Sequence, residues 1–161
     1  MFYIGFNILL ESEYMYYLAQ INYRIFENYE IYRLISAMFL HADVMHIFSN
    51  MVALLIFGAV VELSYSKVQF LIIYFISGLI GNIFSLFLLS PYTMSLGAAF
   101  IIIGLDEDKT LIYLTLVYLA YFLLTSFQPG INLWAHLFGL AGGLGLGYLF
   151  HLKKGRLKEV Y

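Results

Sequence analysis

The chain has 161 residues, 63% of them hydrophobic and only 11% charged, with a mean hydropathy of +0.87 and a formal net charge of −2. A soluble domain of this size keeps about a quarter of its residues charged, so this composition describes a membrane protein. The negative balance gives no basic surface for nucleic acid, and the absence of cysteine excludes disulfide frameworks, thiolate zinc sites and cysteine nucleophiles.

The apolar start, MFYIGFNILL, lacks the basic region and small-residue cleavage site of a signal peptide. As a helix it rises about 15 Å, half of what a span needs. Residues 11–33 interleave Tyr14, Tyr16, Tyr17, Tyr23, Phe26, Tyr29 and Tyr32 with Glu11, Glu13, Arg24, Glu27 and Glu30. That pattern predicts a segment lying in the membrane interface, apolar side down, with an ordinary external loop as the alternative.

Four stretches, roughly 44–63, 68–89, 111–127 and 132–151, are long enough or nearly so to cross about 30 Å of hydrocarbon. A fifth apolar piece, 97–105, rises only about 13 Å. The tail HLKKGRLKEVY carries Lys153, Lys154, Arg156 and Lys158, which puts the C-terminus in the cytoplasm. Counting back with 97–105 as a crossing places His41, His46 and His136 toward the outer face. No repeat, low-complexity tract or linker interrupts residues 1–161, which read as one domain.

The stretch HADVMHIFSN, His41 to Asn50, heads a span that is otherwise apolar. His46 and Asn50 are four apart and share a helix face, whereas His41 lies five before His46 and points elsewhere or precedes the helix. A zinc site would need a further ligand from His136 or His151, and His151 falls on the opposite side of the membrane, so no metal is expected. Two readings remain. The pair serves as hydrogen-bonding glue between helices, or it marks a site, because polar groups at membrane depth are costly. Both side chains can donate toward a developing oxyanion.

In LWAHLFGLAGGLGLGYLF, Ala135, Gly139, Gly143 and Gly147 recur every fourth residue and leave a smooth helix face against which another backbone can pack. SLGAAFIIIGL, 95–105, is the glycine-bearing candidate for that neighbour. His136 stands at the top of this face, where it is either a structural hydrogen bonder or a general base.

Together these pieces resemble the rhomboid intramembrane serine proteases. YRLISAMFLHADVMHIFSNMVALLIFG is similar to the family's aromatic-Arg-Leu segment followed by H-x4-H-x3-N, with Tyr32 where the family often has Trp. FLIIYFISGLIGNIFSLF resembles its third span, and WAHLFGLAGG its A-H-x-x-G signature on the sixth. The resemblance implies an all-α polytopic membrane helix bundle of six spans with an interfacial first loop. It makes His136 the general base of a Ser-His dyad, His46 and Asn50 oxyanion donors, and His41, Arg33, Gly97 and Gly139 supporting residues. It implies no metal or organic cofactor, transmembrane proteins as substrates, a multi-pass place in the cell membrane, and a site open to water on the outer side.

The match breaks at SLGAAFIIIGLDEDKT. The family's nucleophile lies in G-x-S-G, often with another serine two positions before it. Aligning Ser95 and Gly97 with that serine and the first glycine puts Ala99 at the nucleophile and Phe100 at the second glycine. Alanine cannot attack a carbonyl, and Ser95 is the lesser alternative nucleophile. Two half-length helices would leave backbone groups unpaired in lipid, so further residues are expected before residue 1 and within 97–106. A Ser→Ala change, or descent from a naturally inactive relative, would equally put alanine there. The expected functions are thus an intramembrane serine endopeptidase, inactive with Ala99 in place, or a pseudoprotease that binds transmembrane segments. A channel or transporter finds little support, since no charged residue lies mid-span apart from Glu62 near a span's inner end and the chain has no pair of interrupted helices related by inverted topology.

Overall fold

The computed structural model describes residues 13–41, 44–95, 109–127 and 132–159. In chain order these form α1 (Glu13–Leu18), β1 (Gln20–Ile21), α2 (Asn22–Asn28), α3 (Arg33–Ser36) running into a 3-10 turn (Ala37–Phe39), α4 (Val44–Ser64), α5 (Lys67–Leu88), β2 (Met94–Ser95), α6 (Lys109–Thr125) and α7 (Leu133–Glu159). The described chain is mostly helical. Among the described residues, Lys67–Leu88 and Leu133–Lys153 are long and apolar enough to cross a membrane. With 21 residues α4 has the length of a span, whereas α6, with 17, rises about 26 Å and is at the short limit.

The centre of the bundle is α5. It starts where Ser66 accepts from the Gln69 backbone N–H and the Gln69 side chain accepts from the Ser66 N–H, a reciprocal cap that satisfies two orphan donors. Its buried residues, Ile73, Ser77, Gly78, Gly81, Asn82 and Ser85, are mostly small, as helix contacts in lipid require when no hydrophobic drive separates helix from solvent. Its main partner is α7. At Gly81 a Cβ would run into the Ala135 carbonyl oxygen and approach the Gly139 nitrogen at 3.1 Å. Phe84 stacks on Phe138 with centroids 4.4 Å apart, and the Tyr65 hydroxyl donates to the Gly147 carbonyl at 3.0 Å.

The smooth face of α7 therefore receives α5. The expected partner, 95–105, lies almost entirely outside the described residues, as does the apolar start. Only the pairing of Ser95 is seen. β1 and β2 pair antiparallel, Gln20 opposite Ser95 and Ile21 opposite Met94, a two-residue ladder within an otherwise helical fold.

Residues 13–41 are folded rather than loop-like. Met15, Ala19, Ile21, Ile25 and Leu34 are buried, while Tyr17, Phe26, Tyr29, Ile31 and Tyr32 are exposed. Arg33, 1% exposed, donates to the carbonyls of Tyr16 and Ala19, each at 2.7 Å, and to Glu30. Gln20 donates to the Asn82 carbonyl and to Ser85, and Asn22 donates to the carbonyls of Ser85, Leu86 and Leu89. The last carbonyls of a helix have no intrahelical partner. This segment supplies donors for the Leu86 and Leu89 carbonyls and so clamps the C-terminal end of α5.

Candidate active site

The site gathers at that same end of the bundle, where α4 and α7 begin and α6 ends. Asn132 caps α7: its carbonyl accepts from the His136 N–H at 3.1 Å and its side-chain oxygen from the Ala135 N–H at 2.9 Å. This fixes His136 in the first turn, 2% exposed. Its Nδ1 lies 2.7 Å from the Ser126 hydroxyl, just past the end of α6, and the Phe122 ring stacks on the imidazole at 4.9 Å and 24°. Its Nε2 is buried with no hydrogen-bond partner among the described residues.

From the other side comes α4. The ring of His46 is 6.0 Å from that of His136, and His41, buried just before the helix, is 5.1 Å from His46. Asn50, half-buried, lies one turn along α4 on the side of His46. The neighbouring Ser49 meets the Tyr121 hydroxyl at 2.8 Å, and its carbonyl accepts from Tyr118 at 3.2 Å, so α6 registers this turn of α4. Among the described residues no group of three His, Asp or Glu side chains has the geometry to hold a metal.

Of the residues singled out in the sequence, His41, His46 and His136 thus come together, with Asn50 on the adjoining turn. Gly139 is buried at the α5 contact, and Arg33 organises the adjoining segment. The Ser95 backbone is paired with Gln20. Gly97, Ala99 and Phe100 lie outside the described residues. Sequence reading missed Ser126, Phe122 and Asn132. Only Asn132 left a signal, a capping residue directly before an apolar run.

A model of the Rhomboid domain matches residues 28–106. Rhomboid-like protease 3 of Toxoplasma gondii is 33% identical over 140 residues, 75% of this chain and 52% of that protein. The Bacillus subtilis protein YdcA, provisionally named a rhomboid protease, is 34% identical over 146 residues, covering 80% of this chain and 72% of its own. The chain belongs to the rhomboid family. Rhomboid proteases are serine hydrolases, and this rhomboid is also 36% identical over 75 residues to Inactive RHOMBOID-like protein 8 of Arabidopsis thaliana, 46% of this chain and 21% of that one. The chain spans about half the length of the Toxoplasma relative. The domain match ends at residue 106, inside the stretch where the nucleophile motif breaks, so His136 falls beyond it.

Proposed function

We propose that this rhomboid is built as an intramembrane serine endopeptidase acting on transmembrane proteins within the bilayer, with Ala99 at the position of the nucleophile. The observation that carries this reading is the buried Nε2 of His136, held without a partner among the described residues beside His46. An imidazole so placed is a base in want of a proton donor. A serine at position 99 would lose its proton to His136 and attack a peptide carbonyl. His46 and Asn50 would donate to the oxyanion, and His136 would return the proton to the leaving amine. No metal or organic cofactor is needed for that chemistry.

Substrates would be single-span proteins whose helix unwinds near the outer membrane face, since a carbonyl inside a helix cannot be presented to a nucleophile. The basic tail supports a cytoplasmic C-terminus for a multi-pass cell-membrane protein, with the site opening outward. Arg33, through the segment it orders, and His41, against His46, support the donors; Gly97 and Gly139 permit close helix approach.

Ala99 and Phe100 favour a second reading, a pseudoprotease that binds transmembrane segments without cutting. A fluorophosphonate probe separates the two. The Ala99→Ser chain is expected to label at residue 99, and His136→Ala in that background to abolish labelling. A folded Ala99→Ser chain that takes no label supports the pseudoprotease, and label at Ser95 in the native chain transfers the nucleophile there.

A further inference from the structure

Ser126 has no part in the chemistry above, yet its hydroxyl is buried against the base. It stands at the end of α6, 1% exposed, with two groups at hydrogen-bond distance: the Phe122 carbonyl one turn back at 2.7 Å and His136 Nδ1 at 2.7 Å. A carbonyl oxygen only accepts, and a hydroxyl carries a single hydrogen. With that hydrogen committed to Phe122, the Ser126 oxygen can meet the imidazole only as an acceptor, and the proton of a neutral imidazole must then be on Nδ1.

We propose that Ser126 is a positioning residue for His136, fixing the Nδ1–H tautomer so that the Nε2 lone pair faces the reacting group. The side chain in this role is usually a carboxylate, which both orients the ring and offsets its charge. Ser126 does only the first, which suits a site at membrane depth, where a further charge would be costly. The same turn of α6 fixes the plane of the ring through Phe122. One helix end thereby sets tilt and tautomer together. The use of Nε2 as a base rests on the hydrolase reading; the tautomer does not. Ser126 is not the nucleophile in this geometry, because its hydrogen points to Phe122 and its oxygen faces the wrong nitrogen.

The test is the ring nitrogen NMR spectrum of the full chain, labelled with 15N-histidine in lipid nanodiscs, with His136 assigned by loss of its signals in His136→Gln. Protonated and unprotonated ring nitrogens resolve clearly in neutral histidine. The native chain is expected to show Nδ1 protonated and Nε2 bare, Ser126→Ala to populate the other tautomer, and Ser126→Thr to restore the native pattern. A native Nε2–H, or a Ser126→Ala spectrum like the native one, overturns the proposal. If Ser126→Ala does not fold, the native and Ser126→Thr spectra still decide. In the Ala99→Ser background, Ser126→Ala is further expected to lower kcat on the order of 10-fold or more with KM little changed, and Ser126→Thr to recover it. Absence of cleavage in every form would remove the hydrolase reading and leave the tautomer result standing. Fluorophosphonate attached to Ser126 would overturn the assignment outright.

Discussion

At the scale of single residues, the fold rests on a few buried polar side chains that tie separate segments together. The buried Arg33 guanidinium ties the carbonyls of Tyr16 and Ala19 to the Glu30 carboxylate, joining α1 to α3. Arg33→Ala should therefore cost roughly 3 kcal/mol, and Arg33→Lys, with a point charge in place of a planar fork, a substantial part of that, read as loss of thermal stability in detergent. Its bond to the Glu30 carboxyl holds that group below the ordinary value of 4.5, with burial opposing. An acid depressed in the folded state binds fewer protons there than when unfolded. Its stabilising effect is complete above pH 4.5 and is lost as pH falls through the lower native value. Hydrogen-exchange protection of residues 13–41 should decline over that window, and Glu30→Gln should flatten the decline. Asn132→Ala should cost about 1 kcal/mol by uncapping α7, while Asn132→Ser, which keeps an acceptor oxygen, retains most of it.

At the scale of elements, the α5–α7 contact is decided by what the glycines meet. A methyl at Gly81 collides with the backbone of α7, whereas one at Gly145 meets nothing within 4 Å. Gly81→Ala should lower stability by about 2 kcal/mol, and Gly145→Ala should leave it unchanged within about 0.5 kcal/mol. Equal effects in thermal unfolding would show that the helices do not cross there. The stripe from Ala135 to Gly147 was legible in the sequence as a close-packing face, because small residues at every fourth position have one meaning on a helix. Its partner was not. Gly78 and Gly81 are three apart amid bulky residues, and the seating of Gly78 on Met38 and of Gly81 on α7 depends on how α5 is rotated, which a sequence does not encode locally. The clamp by Gln20 and Asn22 was equally hidden, since it joins residues more than 60 positions apart in the chain. The cap at Ser66 was open to view as S-x-x-Q before an apolar run.

At the scale of the whole molecule, the histidines that cluster at the candidate site were legible because ionisable groups at the head of apolar spans are few and expensive. His136 and its neighbours His41 and His46 were found this way. Ser126 was not, for a serine at the end of an apolar helix is commonplace until the chain turns back and sets it against the imidazole. The proposed orientation rests on the basic tail alone, and the lack of cysteine makes it simple to check. A single cysteine at the exposed Glu27 should react with an impermeant maleimide in intact cells, and one at Lys153 only after permeabilisation. The reverse pattern would invert the molecule and turn the site inward.

That His136 and its surroundings form the base of an intramembrane protease, with Ala99 at the nucleophile position, is tested most directly by cleavage in liposomes. The chain is co-reconstituted with a single-span protein, and products are mapped by mass. The expected results are no cleavage by the native chain, a cut near the outer end of the substrate span by Ala99→Ser, and none once His136→Ala is added. A well-folded Ala99→Ser protein that leaves every substrate span intact, or one that still cuts without His136, would contradict this assignment.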